Sequence, residues 1–354
     1  MKGIIVAGLV ILACTIPCSA AEPFPVPGLE ELWDQAESYG VDPEENMEQG
    51  MSNLFVDAVG ELKSLVRASA ATGLKLLAVV LLCSLAKGTG NGGGSGLQAV
   101  ELAGALAITA LTIGDMEAMI GLGRDTIGKM SVFSDTLLPV MAVLTAATGG
   151  VTGAAVRQGV TVFFSQILIL VMDRILIPLV YGYVALSCAY AAVDNPGLGK
   201  LAGLLKSVAT FLLTALLVVF VGYLTASGAI AGSVDASAIK AAKLAISRAI
   251  PVVGGVLADA SETVLAGAGV LRGTVGVVGM LVVLAICATP FFQLAIQYLV
   301  YKGMAALCAT VAPPRLSRLI DSVGGAFGVV LGMTGASALI LLISLVSTLS
   351  VVVT

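Results

Sequence analysis

VGGAFGVVLGMTGASALILLISLVSTLS, residues 323–350, is a long apolar run without a charged side chain. About 20 apolar residues in a helix cross the hydrocarbon core of a bilayer, so the run predicts a transmembrane helix. Gly324, Gly328, Gly332 and Ala336 recur every four residues within it. They stack on one helix face and let a second helix approach closely. The pattern leaves open whether that second helix belongs to the same chain or to another copy.

The composition of the whole chain agrees with this run. Of its 354 residues, 58% are hydrophobic and 11% charged, whereas soluble domains carry about 25% charged residues. These values predict an all-α integral membrane protein with several spans. The net charge of -4 comes without the basic patch that nucleic-acid binding requires, so we expect no nucleic-acid partner.

Apolar segments from residue 72 onward predict seven to nine membrane-spanning helices. Two of these segments adjoin at MDRILIP, where about 35 apolar residues exceed the length of one span. We therefore expect a turn at Asp173 and Arg174. The predicted spans are 72–88, 97–119, 136–155, 158–174, 176–193, 204–231, 273–290, 291–311 and 323–350.

The basic residues do not fit a simple alternation of these spans. The positive-inside rule places Lys87 and Arg157 in the cytoplasm. The same rule favours the cytoplasm for the basic group at 240–248 and for Arg315 and Arg318, and alternation does not satisfy both. Either the count is wrong by one, or a segment enters and leaves on the same side.

The N-terminal region has two parts. Residues 1–21 have the charged start, apolar centre and small-residue end of a cleaved signal peptide, so we expect the mature chain to begin outside the cytoplasm. Residues 22–70 form an acidic extracytoplasmic region whose apolar residues recur at helical spacing around Leu32 and Leu54. This region is too short for a large core of its own. We expect its apolar stripes to pack on a partner, on another copy or on the membrane surface.

The polytopic domain, predicted over 71–354, is interrupted near 235–270. Pro251, Gly254 and Gly255 break a helix there, and Asp259 and Glu262 have the spacing of a capping box that begins the next helix. Alternatively, the two carboxylates line a polar cavity at membrane depth. Both interpretations predict a broken or re-entrant helix. The candidate residues of this polar element are Arg248, Pro251, Gly254, Gly255, Asp259 and Glu262.

Catalysis and cofactor binding are not expected. The chain has no histidine, which removes the commonest general base near neutral pH and a frequent metal ligand. Its six cysteines form no CxxC pair, which is typical of packing residues. KGTGNGGGSG, residues 87–96, contains GxGxxG but lacks the flanking strand and helix of a dinucleotide site, so it is interpreted as a flexible linker. We predict no catalytic residue, no cofactor, no metal and no enzymatic activity.

Three segments carry a family resemblance. KAAKLAI at 240–246 is followed by IPVVGG and DASETV between residues 250 and 264, and PVMAVLTAATGG lies at 139–150. Together with the signal peptide, the acidic helical region and the many spans, they resemble the stage III sporulation protein AE family of endospore-forming bacteria. The resemblance extends over nearly the whole chain.

The resemblance implies a multi-pass protein of the mother-cell membrane around the forespore. The implied function is a non-enzymatic component of the channel, or feeding-tube, complex needed for endospore formation. The implied partners are other stage III sporulation membrane proteins, their ATPase and ring-forming proteins of the intermembrane space; we also expect a homo-oligomer in contact with membrane lipid. The alternative is a stand-alone secondary transporter that binds a cation or proton at Asp259 and Glu262.

Overall fold

The computed structural model describes residues 28–42, 47–89, 94–147, 163–226, 274–311 and 313–352. All regular secondary structure in these ranges is helical. Six of the helices are long and apolar enough to cross a membrane. The predicted all-α class with several membrane-capable helices is therefore confirmed. The helices are α1 Leu29–Ser38, α2 Met47–Thr89, α3 Gly94–Ala147, α4 Phe163–Val193, α5 Pro196–Ala226, α6 Thr274–Ala309 and α7 Pro314–Val352.

The first two long helices extend well beyond the predicted spans. α2 passes through residue 70, so the predicted boundary between the N-terminal region and the membrane domain falls inside a helix. α3 continues through residues 120–135, which separate two predicted spans. Its charged residues lower the hydropathy there without ending the helix, because Ile127, Met130 and Phe133 still bury one face of it. On the exposed face Lys129 pairs with Asp125 one turn away at 2.7 Å.

The turn predicted at Asp173 and Arg174 is wrong. Both residues lie in α4, which passes from α-helix into a short π-helical segment at Met172–Leu176 and back again. Asp173 is held against the neighbouring helix, where its Oδ1 accepts a hydrogen bond from Nε of Arg124 at 2.8 Å. Because Arg124 satisfies the carboxylate of Asp173 on the face of the helix, Asp173 does not have to lie in a turn at the membrane surface. One continuous helix therefore replaces the two predicted spans.

The spans predicted at 273–290 and 291–311 are also one helix. α6 is continuous from Thr274 to Ala309 with Pro290 inside it. Proline interrupts helices in soluble domains, but neighbouring helices compensate for it in membrane proteins. Hydropathy alone did not reveal the continuity.

The six long helices form three antiparallel hairpins, α2–α3, α4–α5 and α6–α7, whose connected ends lie together. Ser84, near the end of α2, donates a hydrogen bond to the carbonyl oxygen of Val311, just after α6, at 2.9 Å. Arg315 at the start of α7 pairs with Asp194 at the end of α4. We call this common end the hairpin end.

α7 is the central helix of the body. In its most apolar window 94% of the residues are buried. It packs most extensively on α6, then on α3, α4 and α5. The apolar core forms two clusters, one around the half of the body nearer the hairpin end and one around the opposite half.

α1 packs on the second of these clusters. Leu32 and Ala36 are fully buried, and the side-chain amide of Gln35 donates a hydrogen bond to Oγ1 of Thr136 in α3 at 3.2 Å. α1 also contacts α6. The expectation that this stripe packs on a partner, another copy or the membrane surface is wrong for α1, since the chain's own helices cover it.

Candidate functional site

The predicted polar element lies outside the residues that the structure describes. It therefore stays a prediction, for the helix break as well as for the two carboxylates. Its residues are Arg248, Pro251, Gly254, Gly255, Asp259 and Glu262.

The four small residues of α7 are all buried. A Cβ atom on Gly324 would lie 3.0 Å from Cβ of Tyr301, and one on Gly328 would lie 2.9 Å from the ring of Tyr298. Both tyrosines belong to α6, so the helix that approaches this face at these two positions comes from the same chain. Gly332 and Ala336 continue the buried face toward the opposite end of α7.

The sequence analysis did not single out Asp115, whose carboxylate lies between α3 and α6. Oδ2 of Asp115 accepts hydrogen bonds from the hydroxyl of Tyr301 at 2.7 Å and from the amide of Gln297 at 3.0 Å. Tyr301 and Gln297 are buried, and Asp115 is partly buried. An acidic residue inside an apolar span is a recognised sign of function or of a structural polar contact, and Asp115 falls within the predicted span 97–119.

A cavity of about 440 Å³ opens between α3 and α4. The Arg124 and Asp173 pair described above lines it, with Gln166 and Arg174. The Gln166 amide also donates a hydrogen bond to Oδ1 of Asp135 at 2.6 Å. The charged groups here are paired with each other. Their contacts connect α3 to α4 across the cavity.

Among the residues that the structure describes, the hairpin end concentrates basic residues around three carboxylates. Glu101 pairs with Lys87 and with Arg315, and Asp194 pairs with Arg315. The third carboxylate, Asp321, pairs with Lys302 at 2.6 Å. The cations at this end are Lys87, Lys200, Lys206, Lys302, Arg315 and Arg318. In the described part of the chain, positive charge therefore exceeds negative charge at the hairpin end.

The other three cations line a second cavity, of about 410 Å³, between α4, α5 and α7. Nζ of Lys206 lies 5.8 Å from the centre of the Tyr183 ring. Nη1 of Arg318 donates a hydrogen bond to the Tyr190 hydroxyl at 2.9 Å. Lys200 is exposed at the rim. Among the described residues none of the three cations forms an ion pair, so the cavity can accept an anionic group.

The sequence analysis missed this second cavity. Lys200 and Lys206 are separated from Arg318 by more than a hundred residues, and no spacing rule connects them. The available signal was the common preference of these basic residues for one side of the membrane. That preference agrees with the structure for Lys87, Arg315 and Arg318, which share the hairpin end. Arg157 and the 240–248 group lie outside the described residues.

Comparison with known proteins identifies the family. The sequence model of the family described as stage III sporulation protein AE matches residues 44–352. The chain belongs to the stage III sporulation protein AE family. This confirms the resemblance drawn from the segments at 139–150 and 240–264, both of which lie within the match.

A relative with the same description, stage III sporulation protein AE of Bacillus subtilis (strain 168), is 28% identical over 202 residues. The aligned region covers 57% of this chain and 51% of the relative. The match thus spans about half the length of that stage III sporulation protein AE. No solved structure matches the chain.

Proposed function

We propose that this protein is a non-enzymatic membrane component of the channel complex that connects the mother cell to the forespore and is needed for endospore formation. Membership of the stage III sporulation protein AE family implies a role in sporulation. The observation that supports the proposal best is that the family match runs from residue 44 to 352 and includes all six membrane-capable helices. The membrane body is therefore the part that the family has in common.

The charge distribution supports an orientation for this component in the mother-cell membrane. Because the hairpin end carries excess lysine and arginine, the positive-inside rule favours the cytoplasm of the mother cell for that end. α1, which packs on the opposite half of the body, then faces the space between the two membranes. There it would meet ring-forming partners, while other stage III sporulation membrane proteins and their ATPase would bind the membrane body and the hairpin end.

The alternative is a stand-alone secondary transporter with a polar site at residues 248–262. The observation that favours it is Asp115, because a partly buried carboxylate within a membrane-capable helix is a common feature of ion pathways. In that case Asp259 and Glu262 would bind the transported cation or proton. A transporter of this kind needs no stable protein partner.

Affinity purification distinguishes the two proposals. The tagged full chain is purified in mild detergent from sporulating cells, and the proteins that accompany it are identified by mass spectrometry. An unrelated multi-pass membrane protein with the same tag and expression level is the control. Recovery of other stage III sporulation proteins with this chain alone supports the channel complex. A protein that purifies without them would contradict it.

Genetic tests follow from the same proposal. Deletion of the chain should abolish spore formation, measured as heat-resistant colonies. The double substitution Asp259→Asn with Glu262→Gln should leave spore formation intact if the two carboxylates only cap a helix. A channel component that works without them fits that result, whereas loss of spores with normal protein levels would favour the transporter.

A further inference from the structure

We propose that the cavity between α4, α5 and α7 binds the phosphate group of an anionic phospholipid, with the acyl chains lying along α5. The proposal concerns a lipid site within this chain. It does not depend on the channel complex, because it can be measured on the purified protein.

The charges at the hairpin end are the first argument. The three carboxylates described there, of Glu101, Asp194 and Asp321, form ion pairs with Lys87, Arg315 and Lys302 respectively. Asp321 also borders the cavity, but its carboxylate is 2.6 Å from Nζ of Lys302, so this single negative charge is shared between Lys302 and the three cations of the cavity. Among the described residues no carboxylate other than Asp321 lines the cavity, so an external anion would balance the excess positive charge of Lys200, Lys206 and Arg318. Basic pockets between membrane helices bind phospholipid headgroups in this way.

The positions of the cations along the helices are the second argument. Lys200 lies in the first turns of α5, and Lys206 lies about 9 Å deeper by the helical rise of 1.5 Å per residue. α5 and α7 both begin at this end, and helix N-termini favour anions. The two lysines therefore line the cavity at different depths. A headgroup that enters from the membrane surface can contact both of them.

The outer face of α5 explains why the phosphate should belong to a lipid. Leu201, Leu204 and Phe211 are 50%, 57% and 70% exposed. They form an apolar track on the outer face of α5, and Lys200 at the cavity rim lies on the same face, one turn before Leu204. From there the track runs into the membrane-capable part of α5. A soluble phosphate ion would leave this track unused, whereas the acyl chains of a phospholipid would cover it.

Gly203 provides a second way to test the site. It lines the cavity, and a Cβ atom added there would meet nothing within 4 Å. A leucine at this position would project into the cavity and narrow it without changing its charge. Leucine also has a higher helix propensity than glycine, so α5 should still form.

The experiment is native mass spectrometry of the full chain, delipidated in detergent and titrated separately with phosphatidylglycerol and phosphatidylcholine. A third titration uses inorganic phosphate. We expect the wild-type chain to bind phosphatidylglycerol more tightly than phosphatidylcholine. Inorganic phosphate at millimolar concentration should not displace it.

Two variants and one control test the location. Lys206→Gln with Arg318→Gln should weaken phosphatidylglycerol binding about thirtyfold, since each cation near a lipid surface contributes about 1 kcal/mol. Gly203→Leu should remove the preference for phosphatidylglycerol with the charge unchanged. Lys63→Gln with Arg67→Gln removes the same charge from exposed positions of α2 and should leave the preference intact.

Three results would overturn the proposal. The first is equal binding of the two lipids by the wild-type chain. The second is an equal loss of phosphatidylglycerol binding in the control, since the effect would then come from net charge alone. The third is displacement of the lipid by inorganic phosphate, because the site would then accept a soluble ion. Size-exclusion chromatography of each variant separates loss of binding from loss of folding.

Discussion

α5 and α7 are equally apolar but occupy opposite environments. Their most apolar windows have the same mean hydropathy, yet 22% of the window is buried in α5 and 94% in α7. α5 exposes large side chains such as Phe211 and Val218, whereas Phe327 of α7 is fully buried. Hydropathy therefore predicts that both helices enter the membrane, but it does not predict which one becomes the centre of the body.

The difference arises because lipid and protein interior are both apolar. Burial of a membrane helix is driven by close packing and polar contacts, with little contribution from the removal of water. α7 has small residues at the positions where α6 crosses it, including Gly324 and Gly328. These residues let the α6 backbone approach, and the close approach covers the larger side chains on either side.

The largest expected effect comes from a matched pair of phenylalanine substitutions. Phe327 packs edge-to-face on Tyr301 with ring centres 5.0 Å apart. Phe327→Ala should lower the free energy of unfolding by about 3 to 5 kcal/mol, because it leaves a cavity in a close-packed interior. Phe211, 70% exposed on α5, is the control, and Phe211→Ala should change stability by less than about 0.5 kcal/mol.

Both values can be measured by titrating the purified protein with sodium dodecyl sulfate in mixed micelles. Equal losses for the two variants would break the comparison, since they would mean that α5 is as closely packed as α7 in solution. A larger loss for Phe211→Ala would reverse it and indicate that a second copy covers α5.

A slightly smaller effect is expected when the close approach of α6 and α7 is blocked. A side chain on Gly324 would meet Cβ of Tyr301 at 3.0 Å and the backbone nitrogen of Lys302 at 3.4 Å. Gly324→Leu should cost about 3 kcal/mol by overpacking, since backbone cannot move aside as a flexible side chain can. Gly222→Leu on α5, where a Cβ atom would meet nothing within 4 Å, is the control.

Fluorescence-detected size-exclusion chromatography after heating gives the melting temperature of both glycine variants. The Gly222→Leu control should melt at or above the wild-type temperature, because leucine favours the helix. If Gly324→Leu has the same melting temperature as this control, the small residues of α7 do not determine which helix is central.

An intermediate effect is expected at α1, the short helix that covers the far half of the body. Leu32 is fully buried there, and Leu32→Ala should cost about 2 kcal/mol, at the lower end for buried leucines because α1 lies at the periphery. Trp33, the only tryptophan of the chain, is partly buried beside it. Its emission should shift to longer wavelength and its quenching by iodide should increase.

Asp34→Ala on the exposed face of α1 is the control and should leave the emission unchanged. An unchanged Trp33 signal in Leu32→Ala would mean that α1 does not pack on its own chain in solution. The original expectation of a partner or a membrane surface would then return.

The smallest expected effect is the loss of one interhelical hydrogen bond. Tyr301→Phe removes the hydroxyl that donates to Asp115 while Gln297 still donates to the same carboxylate. The cost should be about 1 kcal/mol in the same denaturation assay. Tyr181→Phe, at an exposed tyrosine of α4, should cost nothing measurable, and a loss of several kcal/mol at Tyr301 would mean that its hydroxyl has further partners.

The sequence predicted the membrane class and the family better than it predicted the helix boundaries. The apolar runs identified the helical membrane class, and the segments at 139–150 and 240–264 identified the family. The turn predicted at Asp173 failed because the sequence does not say that Arg124 pairs with this carboxylate from another helix. The division of α6 failed because Pro290 is compatible with a continuous helix when neighbouring helices surround it. The candidate residues at 248–262 lie outside the described part of the chain and stay predictions.

By itself the sequence determined that the chain forms long apolar helices, because composition and helical period depend only on neighbouring residues. Tertiary structure alone decided that α7 is central, that α1 packs on its own chain, and that Lys206 and Arg318 share a cavity. These features depend on which helices meet, and equally apolar helices have the same affinity for lipid and for one another until their small and polar residues are brought into contact.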